Sequence, residues 1–81
     1  MALHRYPDFQ VGEWVIYKPT EVRFIGKPID FIVFKGMDEG KIDEVIFVEV
    51  KTGQSKLSDV QKSLKKSVDE KKITWEEYRA K

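Results

Sequence analysis

Three side chains of this sequence stand where their chemistry is conspicuous. In Phe47-Val48-Glu49-Val50-Lys51 an acid and an amine lie two residues apart at the end of an otherwise apolar run. Side chains alternate faces along a strand, so Glu49 and Lys51 point the same way. Asp30 opens a second apolar run, Ile29-Asp30-Phe31-Ile32-Val33-Phe34. An antiparallel turn between the runs brings both acids to one end of a sheet. Two carboxylates and a lysine gathered there suit metal-dependent phosphodiester hydrolysis. A cation held by the acids polarises a phosphoryl oxygen and acidifies bound water, while the ammonium orients that water or offsets charge in the transition state.

Parity sharpens the geometry. If Phe34 and Val45 close the hairpin, paired residue numbers sum to 79 and Asp30 falls opposite Glu49. Directly opposed Cβ atoms are about 4.5 to 5.5 Å apart, within reach of one cation. The connection from Lys35 to Glu44 does not fix the register, but a slip by two keeps both acids on one face and only an odd slip separates them. The tripeptide alone carries little weight, because Glu39-Gly40-Lys41 and Glu70-Lys71-Lys72 share its pattern. Apolar context and an apposable Asp30 distinguish Glu49-Val50-Lys51. The plain alternative is a strand end entering solvent with a surface ion pair worth about 0 to 1 kcal/mol.

The elements that must hold these residues are short. Trp14-Val15-Ile16-Tyr17, ended by Pro19, and Val22-Arg23-Phe24-Ile25, ended by Gly26, predict strands. The runs at 29–34 and 45–50 are almost continuously apolar, which predicts central strands covered on both faces. Gly36, Asp38, Glu39 and Gly40 between them predict an exposed hairpin loop. Ser58 with Gln61 three residues on has the spacing of a capping box, and Leu57, Val60, Leu64 and Val68 form an apolar stripe for one helix. Ile73-Thr74-Trp75 predicts a last short strand. Residues 1–12, with Pro7 and Gly12, predict an arm or edge segment, and 13–81 a single α+β domain.

Composition narrows the chemistry. The 81 residues contain no cysteine and one histidine, His4, so thiolate zinc and multi-histidine sites are excluded and magnesium or manganese on oxygen ligands remains. No apolar stretch approaches the roughly 20 residues of a membrane span, and the first residues lack a signal-peptide core, which makes a cytoplasmic protein without membrane partners the expectation. The net charge of +1 is uneven: residues 1–50 carry 6 Lys/Arg against 9 Asp/Glu, and residues 51–72 carry 7 Lys against 3 acids. A basic excess that begins at the candidate site suits a polyanion, and equally describes a solvated lysine-rich helix.

With strand, acid-bearing strand, Glu-x-Lys strand, helix and strand in order, the chain resembles the PD-(D/E)xK nuclease superfamily. Gly26-Lys27-Pro28-Ile29-Asp30-Phe31-Ile32-Val33-Phe34 and Phe47-Val48-Glu49-Val50-Lys51-Thr52-Gly53 look most like predicted endonucleases related to archaeal Holliday-junction resolvases. The similarity covers roughly residues 22–79. It implies a minimal restriction-endonuclease-like mixed β-sheet with one main helix packed on it and the first core helix missing. It implies Asp30, Glu49 and the Val50 carbonyl as magnesium or manganese ligands, Lys51 as the residue assisting water, and Gln61 near the site. The acid that the missing helix usually contributes has Glu13, Glu21 or a neighbouring subunit as candidate replacements.

The implied activity is an endonuclease cutting DNA, branched or junction DNA included, with Lys56, Lys62 and Lys65 on phosphates. The alternatives are a catalytically impaired nuclease-fold module that binds DNA and a protein-interaction module. Gln61 either touches the site or completes the cap on Ser58. Trp14, Trp75 and Tyr78 serve stacking on bases or, more commonly in so small a domain, a core or an oligomer interface. One helix covers too little of the apolar strands, which predicts a homodimer or higher homo-oligomer.

Overall fold

Pro19, Gly26 and the Gly36/Gly40 pair cut the apolar sequence into short extended pieces. The computed structural model describes residues 4–6 and 15–80, with side chains from Tyr17 onward, and arranges the pieces in two antiparallel sheets. Strand β1 (His4–Tyr6) pairs with β2 (Val15–Tyr17). Strands β3 (Val22–Phe24), β4 (Phe31–Lys35) and β5 (Glu44–Val48) form the second sheet in that order. Helix α1 (Asp59–Asp69) follows, giving a small α+β fold. Among the described residues no helix is long and apolar enough to cross a membrane.

The β4–β5 register matches the parity expectation: Phe34 faces Val45 and Phe31 faces Val48. Its turn depends on glycine. Gly36 (φ +97°) and Gly40 (φ +79°) both take left-handed backbone, and a Cβ at Gly36 would lie 2.1 Å from the Lys41 carbonyl oxygen. Glu21, only 4% exposed, braces this turn from the segment before β3, its carboxylate accepting the N–H groups of Gly36 (3.1 Å) and Asp38 (2.9 Å). Thr20 and Lys18 add side-chain bonds to Asp38 and Glu39.

Local signals also fix both ends of α1. The Ser58 hydroxyl accepts the Gln61 N–H, and the Gln61 side chain accepts the Ser58 N–H at 3.0 Å, completing the capping box. At the other end Lys71 is left-handed (φ 59°), with Lys71 N–H bonded to Val68 O and Lys72 N–H to Ser67 O at 2.8 Å. These two bonds are a Schellman closure.

Four expectations are corrected. Strand β5 is an edge strand rather than a central one, since only β4 pairs with it among the described residues. An apolar run reads alike whether a strand or a helix lies beside it. Ile73-Thr74-Trp75 forms no strand and lies exposed, so the sheet is antiparallel throughout instead of mixed. On α1, Val60 is 64% exposed while Gln61 is half-buried, because the inward line runs through Leu57, Gln61, Leu64 and Val68. Glu21 is committed to the turn at the opposite end of the sheet from Asp30 and does not replace the missing helix acid. Of the predicted arm, His4–Tyr6 forms β1. The rest of it, with Glu13, Trp14 and the His4 side chain, lies outside the described residues.

Among the described residues the buried apolar side chains are Ile29 and Val33. Val33, on the middle strand between Val22 and Ile46, anchors the sheet, and Ile29 anchors the approach to Asp30. The residue before Asp30 and the middle of β4 are therefore held by packing.

Candidate active site

The β4–β5 ladder stops at Phe31 and Val48, one position short of Asp30 and Glu49. Beyond that point side chains take over the backbone pairing. The Asp30 N–H donates to Glu49 Oε1 at 3.1 Å, and the Val50 N–H donates to Asp30 Oδ2 at 2.9 Å. Each acid thus bonds the main chain of the other's segment, which holds both carboxylates at one end of the sheet. The Asp30 carbonyl, in turn, accepts the Ile25 N–H at 2.8 Å and ties the β3 end to the same corner.

Lys51 and Gln61 converge on the second oxygen of Glu49. The Lys51 ammonium is 2.8 Å from Glu49 Oε2, and Gln61 Nε2 donates to that oxygen at 2.7 Å. The Glu49 side chain is 14% exposed and that of Lys51 22%, so the pair is largely withdrawn from water. Gln61 Nε2 also donates to the Pro28 carbonyl at 2.8 Å, while its Oε1 serves the helix cap. The two readings of Gln61 are both realised, one by each end of its amide.

Asp30, Glu49 and Gln61, though not Lys51, line a cleft of about 650 Å³ together with Gly26, Lys27 and Pro28, among others. The cleft supplies hard carboxylate oxygen donors in Asp30 and Glu49, and Val50 N–H holds one of them, Asp30 Oδ2. Magnesium takes one or two carboxylates and keeps several waters, so this donor set fits such an ion. Among the described residues no group of three His, Cys, Asp or Glu side chains converges. Lys56 and Lys62 are exposed and make no ion pair among the described residues, whereas Lys65 is paired with Asp69 at 3.0 Å.

Two participants escaped sequence reasoning. The Pro28 carbonyl is a main-chain group that residue type does not reveal. Lys27 lines the cleft, and its only signal was its place three residues before Asp30.

No curated protein and no solved structure matches the chain significantly. A family model described as endonuclease related to archaeal Holliday junction resolvase matches residues 8–80, nearly the whole sequence. By that match, and with the acid-bearing hairpin and capped helix the sequence led one to expect, the chain belongs to the family of endonucleases related to archaeal Holliday junction resolvase.

Proposed function

We propose that this chain is a magnesium- or manganese-dependent deoxyribonuclease that hydrolyses phosphodiester bonds in duplex or branched DNA and works as a homodimer. The observation that carries this reading is the interlock of Asp30 and Glu49, which line an open cleft, with Lys51 2.8 Å from Glu49. Family membership supports nuclease chemistry, and three antiparallel strands followed by a helix support a restriction-endonuclease-like core.

In this reading Asp30, Glu49 and the Val50 carbonyl hold the cation, which when bound supplies positive charge to the phosphoryl oxygen and acidity to water. Lys51 orients the attacking water and offsets charge on the phosphorane. Gln61, anchored by its donation to the Pro28 carbonyl, keeps Glu49 from rotating. Lys27, Lys56, Lys62 and Lys65 bind phosphates without reading bases.

The test is cleavage of labelled linear, flap and four-way-junction DNA with either metal. Asp30→Ala and Glu49→Ala should each lower the rate by about 100-fold or more, the usual effect of losing a transition-state stabiliser. If no substrate is cut, or if cutting persists in both variants, the reading fails. The missing third acid among the described residues favours one alternative, a DNA-binding or protein-interaction module without turnover. DNA binding that is salt-sensitive but leaves every substrate intact would select the DNA-binding form.

A further inference from the structure

Lys51 stands on Glu49 and not among the residues that line the cleft. Its ammonium lies 2.8 Å from Glu49 Oε2, which also accepts Gln61 Nε2 at 2.7 Å, so both lone pairs of that oxygen are taken. Glu49 Oε1 accepts the Asp30 N–H, and Asp30 Oδ2 accepts the Val50 N–H. Of the four carboxylate oxygens, Asp30 Oδ1 alone accepts no hydrogen bond among the described residues.

The two donors on Glu49 Oε2 differ in freedom. Gln61 belongs to α1, its Oε1 accepts the Ser58 N–H, and its Nε2 donates to the Pro28 carbonyl as well, so three neighbours hold it in place. Lys51 follows the end of β5 on a flexible four-carbon stem, and its ammonium makes one ion pair, with Glu49. That ammonium supplies the positive charge that a cation on Glu49 would otherwise supply. The two side chains are only 14% and 22% exposed, so water screens little of the repulsion between an ammonium and a cation that share the carboxylate. Glu49 serves one or the other, and Gln61 keeps its orientation in either case.

We propose that Lys51 has two positions. On Glu49 it lowers the affinity of the DNA-free protein for a divalent cation; on a phosphate of DNA in the cleft it leaves Glu49 to that cation. The proposal rests on the metal-dependent reading above and adds a regulation of the same site. Cation and DNA each strengthen the other's binding by one and the same factor, since coupling between two ligands is reciprocal. The protein without DNA then carries little metal, which confines the charged hydrolytic site to the substrate complex.

The first half is tested with manganese ion on DNA-free protein, the free ion being counted by its paramagnetic resonance. If the arrangement open to the cation is populated about one part in ten, Lys51→Met should bind manganese about tenfold more tightly than wild type. Lys27→Met removes a positive charge from the cleft but no ion pair from Glu49, and should tighten binding by less than about threefold. For the second half, calcium should tighten wild-type binding to a fluorescent duplex about tenfold more than it tightens Lys51→Met binding. Equal manganese affinity in wild type and Lys51→Met, weaker binding by Lys51→Met, an equal gain in Lys27→Met, or an equal calcium effect on duplex binding overturns the proposal and leaves the nuclease reading standing. No manganese on any of the three proteins overturns both. Should Lys51→Met fail to fold, the nitrogen resonance of the Lys51 ammonium in wild type decides: it should shift as magnesium saturates the protein, and an unmoved resonance overturns the proposal.

Discussion

Glu49 is the most heavily committed side chain at the candidate site, with one oxygen on the Asp30 N–H and the other shared by Lys51 and Gln61. Removing Lys51 leaves a half-buried carboxylate with a single neutral donor on that oxygen. Lys51→Ala should keep DNA binding, measured by anisotropy in calcium, while cleavage in magnesium falls by about 100-fold. Arginine should not restore it, because a planar fork does not reproduce a compact ammonium beside one oxygen. Gln61→Ala removes half the capping box and the hold on Glu49 together, and should cost about 1 kcal/mol in urea unfolding. Asp30, Glu49 and Lys51 were legible as a group because their types are wrong for an apolar run. The Pro28 carbonyl was not, since a backbone acceptor has no signature in residue type.

Whole elements were legible where local chemistry decides and illegible where a partner does. The hairpin register agrees with the pairing of Phe34 and Val45 that the sequence allowed but its connection did not fix, and the helix start followed from Ser58 and Gln61. Whether β5 was central or at an edge, and whether 73–75 joined a sheet, depended on what lay alongside, which periodicity does not report. Glu21 looked like a spare acid for the site, yet it is the brace of the far turn. Glu21→Ala should therefore lower stability by about 2 kcal/mol, the cost of stranding buried donors, seen as a shift in denaturant midpoint with unchanged slope. Glu21→Gln, which keeps an acceptor, should lose less. At the same turn the Lys18 amine is raised above its ordinary 10.5, first by its hydrogen bond to Glu39 and then by the nearby acids. A raised amine contributes fully below pH 10.5 and loses its contribution as pH climbs beyond that value, which NMR titration of Lys18 in wild type and Glu39→Gln would register.

At the scale of the whole molecule, charge separation orients any polyanion. Residues 1–50 are net acidic while 51–72 are net basic, and the boundary falls at Lys51 beside the proposed catalytic end. Under the proposed function, a DNA backbone drawn to the basic half would pass over the exposed Lys56 and Lys62 and enter the cleft that Lys27 lines. Each lysine that displaces a counterion from duplex phosphate contributes about 0.9 to the slope of log K against log salt. Lys62→Ala should flatten that slope by about that amount in fluorescence binding isotherms over a salt series. Lys65→Ala should flatten it less, because Asp69 at 3.0 Å already neutralises part of its charge. Equal effects of the two variants would mean that the ion pair opens on binding. No effect of either would place the DNA path away from α1, leaving Lys27 to guide phosphate into the cleft.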